Sequence, residues 1–211
     1  MLAGIIDYGV GNVQSVAALV SKLGAECVVS SKKEDLGLCE ALILPGVGAF
    51  SAAMNKLNEA ELDQWIKVQV NRGVPILGIC LGMQLFARGS EESPGVPGLG
   101  LLNAEVKLIE PGSGTDDLGR FYNIPHMGWN SVSAVNNSSL FDGIPNNSDF
   151  YFANSYHVEC FDSRDISGTT HYGHTFVAAI VRKNIYGVQF HPEKSQKFGL
   201  TVVKNFFKNL G

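Results

Sequence analysis

"GVPILGICLGMQLFARG" runs from Gly73 to Gly89. Its first half, Val74 to Ile79, is apolar almost throughout, as expected of a strand buried on both faces in a parallel sheet. A helical pattern, expected from about Cys80 to Ala87, follows at once. Between the two, Gly78-Ile79-Cys80-Leu81-Gly82 sets a cysteine at the junction with a glycine two positions away on each side. This G-x-C-x-G spacing is the thiol form of the nucleophile elbow, a sharp strand-to-helix turn whose crowding excludes flanking side chains. The positive end of the following helix favours thiolate over thiol. Backbone N–H groups from Leu81 onward can receive an oxyanion. Five residues alone fit a buried structural cysteine equally well.

The flanking sequence sets the elbow in an alternating frame. Upstream, "LAGIID", "AECVVS" and "EALILPG" read as strands. Val13, Val16, Ala17, Val20 and Leu23 form one helical face with Gly24 as the stop. Phe50, Met54 and Leu57 continue the helical spacing. Asn58 and Glu61 have the separation of a capping box for a helix carrying Leu62, Trp65 and Ile66. Strand–helix alternation of this kind predicts a parallel sheet wrapped by helices. Downstream the strands crowd together: "AEVKLI", "WNSVSAV", "DFYFANSYHVEC", "TFVAAIV" and "IYGVQF", with "RKN" as a hairpin turn between the last two. "SGTDDLGRFYN" reads as an exposed loop, and Val203, Phe206, Phe207 and Leu210 as one face of a final helix.

Composition narrows the function classes. Of 211 residues 45% are hydrophobic and 17% charged, enough for one sizeable core. Sixteen Lys and Arg against twenty Asp and Glu leave a net charge of −4, with no basic cluster to suit nucleic acid. The apolar runs are strand-sized, too short to span a bilayer, and the N-terminal residues lack a signal-peptide pattern. Cys27, Cys39, Cys80 and Cys160 include no C-x-x-C pair, so a zinc site is not expected and reduced thiols are.

A cysteine nucleophile needs a base. His126, His157, His171 and His174 stand in unremarkable surroundings; His191 closes the strand "IYGVQF" and opens "HPEKS". Pro192 biases His191 to an extended backbone, so His191 and Glu193 should project to the same side, the carboxylate orienting the imidazole. "LILPGVGAF" ends another strand in Gly46-Val47-Gly48, where backbone donors can approach a ligand. In a parallel α/β sheet ligands bind beyond the carboxyl ends of the strands, where this turn and the elbow would meet. Gln84, one helical turn beyond Cys80, shares its face.

GICLGMQ, HPEKS and PGVGAF together resemble the class I (triad) glutamine amidotransferases. DYGVGN at Asp7–Asn12, IPHMGWN at Ile124–Asn130 and FANSYHV at Phe152–Val158 narrow the resemblance to the glutaminase subunits of histidine biosynthesis. It extends from the first strand to the last helix. It implies a flavodoxin-like α/β fold, a mostly parallel central sheet flanked by helices with extra antiparallel strands in the C-terminal half, as a single amidotransferase domain over residues 1–211. It implies Cys80 as nucleophile, His191 as general base and acid, and Glu193 as the orienting carboxylate. Leu81 and the Gly46-Val47-Gly48 turn would form the oxyanion hole, the turn flipping to present its donor. Gln84, Ser155 and Tyr156 would hold glutamine. Asn12 and Lys194 would couple the site to a subunit interface lined by His126, Met127 and Trp129. No cofactor or metal is implied. The implied partner, in a cytoplasmic heterodimer, is a (βα)8 synthase subunit, HisF, which receives the ammonia. A relative feeding ammonia to another acceptor, such as a nucleotide sugar, would carry the same motifs.

Overall fold

The fold is that of a computed structural model, which describes residues 1–115, 119 and 121–209. The first half alternates strand and helix: β1 (Leu2–Ile6), α1 (Val13–Lys22), β2 (Glu26–Ser30), α2 (Lys33–Leu36), β3 (Ala41–Gly46), α3 (Phe50–Glu59), α4 (Leu62–Asn71), β4 (Ile76–Cys80) and α5 (Leu81–Gln84). The second half is mostly strand: β5 (Ala104–Leu108), β6 (His126–Ala134), β7 (Ser148–Asn154), β8 (Tyr156–Cys160), β9 (Ile166–Tyr172), β10 (His174–Arg182) and β11 (Ile185–Val188), closed by α6 (Gln196–Lys208).

Among the described residues nine strands form one sheet in the order β2-β1-β3-β4-β11-β10-β9-β6-β7, and β5 pairs with β8 in a separate ribbon. From β2 to β11 every pairing is parallel; from β11 to β7 every pairing is antiparallel. The α/β class with added antiparallel strands is therefore as expected. All residues of β3 and β4 are buried, and the side chains along β3 alternate between two cores. Leu42 and Leu44 pack with α2, α3, α4 and α5. Ala41 and Ile43 pack with Val16 and Val20 of α1 and Val203 and Phe206 of α6. This double coverage forces the central strands to be apolar on both faces.

Several expectations need correction. Asn58 lies in the last turn of α3 and caps nothing; α4 begins after Glu61, which adopts left-handed backbone at φ 53°. The helix expected over Cys80–Ala87 is one α-turn long. Its following residues tighten into shorter bonds, Phe86 N to Met83 O and Ala87 N to Gln84 O, while the returning loop takes the remaining carbonyls through Leu99 N, Gly100 N and Leu102 N. "DFYFANSYHVEC" is two strands broken at Ser155, with β7 in the large sheet and β8 in the ribbon. β9 is an additional strand that the sequence pattern does not announce. Asp116, Asp117, Leu118 and Arg120 of the expected loop, and Leu210 of the final helical face, lie outside the described residues.

Candidate active site

The elbow is formed as the glycine spacing requires. Cys80 ends β4 at φ 53° and ψ −111°, a backbone that non-glycine residues rarely adopt and that is characteristic of strained functional turns. A Cβ on Gly78 would sit 2.6 Å from Cε2 of Phe86, and one on Gly82 would collide with the carbonyl oxygen of Leu44. The two glycines let α5 pack onto β3 and β4 without displacing either strand. With α5 a single turn, the electrostatic help at the sulfur comes from local N–H groups rather than from a long helix dipole.

His191 comes to Cys80 from β11, the parallel neighbour of β4. Its Nδ1 is 2.9 Å from Oε1 of Glu193, and both side chains are almost fully buried. The pair meets because Pro192–Lys194 winds into a 3-10 turn directly after an extended His191, rather than by simple strand alternation. Burial of the ring opposes its charge, but hydrogen bonds and charge from Cys80 and Glu193 prevail and push His191 up to about 10. The turn is stitched to β7: His191 N donates to Tyr151 O at 2.8 Å, Tyr151 N donates to Ser195 Oγ at 3.0 Å, and Ser195 Oγ donates to His191 O at 2.7 Å.

A cavity of about 340 Å³ opens over the sulfur, lined among others by Val47, Gly48, Cys80, Leu81, Gln84, Asn154, Ser155, Tyr156, His191 and Lys194. Thus most of the expected site residues converge, from β3, β4, α5, the β7–β8 break and the turn after β11. Gly46 lies just beneath, at the end of β3, in register with Cys80. Tyr8 packs there too, donating to Pro45 O at 3.0 Å; burial first, and the neighbouring Cys80 second, raise its phenol pKa strongly. Gly48 has φ 93°, so the turn has the conformational freedom a peptide rotation needs. Gln84 commits its Nε2 to Tyr156 O at 2.8 Å and to Gln189 Oε1 at 3.0 Å. Its Oε1 is left as an acceptor, suited to a ligand's ammonium group. A larger groove of about 520 Å³, lined by His157 and His174 among others, does not include Cys80.

The outer positions divide. Met127 and Trp129 are 65% and 49% exposed and available to a partner. Lys194 is also exposed, its Nζ 5.2 Å from the centroid of Tyr151, whose ring lies edge-on to Trp129. Asn12 stands at the start of α1 with no side-chain capping bond. His126 does not line a surface: it is 3% exposed, stacked between Phe152 and Tyr172 at 5.0 and 3.9 Å. The first residue of a strand points inward or outward with the register of its pairing, and the local motif does not determine that register. Two further residues belong to the site, Ser195 and Gln189. Their positions, within HPEKS and two residues before His191, are the signals that could have found them.

Burial lowers the His126 pKa from 6.5 to about 4. The unfolded chain then takes up this proton more readily than the folded one, so this residue's contribution is intact above pH 6.5 and lost as pH falls from 6.5 toward 4, by about 3 kcal/mol in full. Urea unfolding of parent and His126→Gln at pH 7 and pH 4.5 checks it. The parent is expected to lose more stability between the two pH values, and equal losses would contradict it.

Both the sequence and the fold that carry this arrangement are matched among known proteins. The family described as glutamine amidotransferase class-I matches residues 4–210. The chain is 45% identical over 202 residues to the imidazole glycerol phosphate synthase subunit HisH of Moorella thermoacetica, covering 96% of this chain and 92% of that protein. It is 44% identical over 209 residues to the HisH subunit from Methanocaldococcus jannaschii, covering 99% and 100%. The structure of PurLQS from Thermotoga maritima shares the fold at TM-score 0.72 and 18% identity, over 100% of this chain and 99% of the matched one. The chain belongs to the class-I glutamine amidotransferases, and within them to the HisH subunits of imidazole glycerol phosphate synthase.

Proposed function

We propose that this chain is the glutaminase subunit of imidazole glycerol phosphate synthase, hydrolysing glutamine at Cys80 and passing the ammonia to a (βα)8 partner, HisF. The observation that carries the reading is that Cys80 and His191 line one cavity with Gln84, Ser155 and Tyr156, while Glu193 is bonded to the His191 ring. In this reading the Cys80 thiolate adds to the δ-carboxamide carbon of glutamine. Backbone N–H groups of Leu81 and of the Gly46-Val47-Gly48 turn take the oxyanion, each donor worth about 3 kcal/mol. Protonated His191 gives its proton to the leaving nitrogen, releasing ammonia and leaving a γ-glutamyl thioester. The neutral ring then takes a proton from water, whose oxygen attacks the thioester, freeing glutamate and regenerating thiolate and imidazolium. Glu193 holds the ring in register throughout.

Ammonia released into water at neutral pH becomes mostly ammonium, which is not a nucleophile. That is the physical reason to deliver it through a protein contact. Exposed Met127, Trp129 and Lys194 on the same side as the cavity are the surface we assign to this contact, with Asn12 helping to couple the sites. In the partner, ammonia meets PRFAR and yields imidazole glycerol phosphate and AICAR. The setting is a cytoplasmic heterodimer of this single amidotransferase domain; no described helix is long and apolar enough to cross a membrane. The test is a glutaminase assay of the chain alone and with a purified HisF subunit loaded with its ligand. Turnover that rises sharply with the loaded partner is expected; turnover indifferent to it, or none in either case, would reject the reading.

A further inference from the structure

Gln189 follows β11, two residues before His191, and has no solvent exposure. Its backbone N donates to Ala178 O at 2.8 Å, fixing its main chain to β10. Its side chain makes two contacts: Oε1 accepts from Gln84 Nε2 at 3.0 Å, and Nε2 donates to Cys80 Sγ at 3.7 Å. The direction of this amide follows from its surroundings. Tyr156 O, 2.8 Å from the Gln84 amide, can only accept. Gln84 must therefore turn its NH2 toward Tyr156, and the same NH2 requires an oxygen from Gln189. The Gln189 NH2 is then left facing the sulfur. A buried relay runs from the backbone of the cavity wall through two amides to the reacting atom, with each orientation set by the one before it.

We propose that Gln189 is a further residue of the catalytic machinery, a fixed N–H donor that holds the Cys80 sulfur in its attacking position opposite His191. A donor on the sulfur stabilises its anion before attack and again when the thioester breaks down, when sulfur is the leaving group. Through Gln84 the same amide ties the sulfur to the Tyr156 segment of the cavity. Occupancy of the cavity and placement of the nucleophile thereby share one hydrogen-bonded chain.

The inference rests on Cys80 being the nucleophile. It is tested on the complex with the loaded barrel subunit, following glutamine hydrolysis, with thermal unfolding of each variant in parallel. Gln189→Glu keeps an oxygen toward Gln84 and removes the donor toward sulfur. It is expected to lower kcat by about tenfold or more, with KM for glutamine within about threefold. Gln189→Met, close in size and with neither amide group, is expected to lower kcat similarly and also to raise KM, because Gln84 loses its anchor. If Gln189→Glu does not fold, Gln189→Met decides. A folded variant with kcat within about twofold of the parent would overturn the inference. Hydrolysis persisting in Cys80→Ala would instead overturn the nucleophile assignment itself.

Discussion

Cys80→Ala is expected to abolish glutamine-dependent synthesis while leaving synthesis from added ammonium salts intact in the complex with the barrel subunit. Loss of the nucleophile from a triad removes on the order of 10⁴-fold or more of the rate, because no covalent route remains. The protein should stay folded. Alanine keeps the Cβ that the φ of 53° must already accommodate, and because Cys80 lines the cavity, its truncation enlarges an existing space rather than opening a new void. Ammonia supplied from solution enters the reaction after the step proposed for Cys80, so its use measures the integrity of the complex rather than of the sulfur. Paired steady-state assays with glutamine and with ammonium chloride check this. Joint loss of both activities, or survival of the first, would contradict the division of labour.

Gly82→Ala is expected to be strongly destabilising, since among the described glycines it is the one whose added methyl meets backbone most closely. The new Cβ would overlap Leu44 O and lie 2.9 Å from its carbonyl carbon. Both belong to the backbone of buried β3, so no rotamer change can relieve the contact. Either α5 lifts off the sheet, taking the cysteine turn with it, or β3 shifts in its ladder between β1 and β4. Overpacking of this kind costs about 3 kcal/mol or more, a large share of the roughly 5–15 kcal/mol of a typical domain. Gly89→Ala is the control: its nearest neighbour is a flexible carboxylate oxygen of Glu105 at 3.4 Å. Urea unfolding should show the midpoint falling steeply for Gly82→Ala and little for Gly89→Ala. Similar midpoints would show that α5 relaxes far more easily than its packing implies.

The parallel half is legible in the sequence because both of its sheet faces are covered, so "LAGIID", "ALILPG" and "VPILGI" carry an unbroken apolar signal. The grouping of Cys80, His191 and Glu193 is legible for a related reason: glycine, cysteine, histidine and proline each restrict backbone or chemistry enough to stand out in a short window. β9 is hidden because "ISGTTHY" is rich in small and hydroxylated residues, and its place is set by pairing with β6 and β10 rather than by its own hydrophobicity. The cut at Ser155 is hidden since both stretches carry strand-forming aromatic and β-branched residues, Phe150, Tyr151 and Phe152 before it and Tyr156 and Val158 after, and only the sheet each joins separates them. The helix after Cys80 is shorter than its pattern suggests because the loop that captures its carbonyls arrives from residues 98–102, too distant for any local signal. His126 turns inward rather than outward by a choice of register that its motif does not encode.

The turn bearing His191 has a second consequence. β7 is the last strand of the large sheet, and the free hydrogen-bonding groups of Tyr151 on its outer side are occupied by His191 N and Ser195 Oγ. Unpaired sheet margins invite other chains to add a strand. Here the segment that supplies the imidazole also acts as a guard rail along that margin. Damage to the guard rail would therefore do more than silence chemistry: it would leave a sticky border, and the failure of such a variant would be seen as self-association in solution as much as in lost turnover.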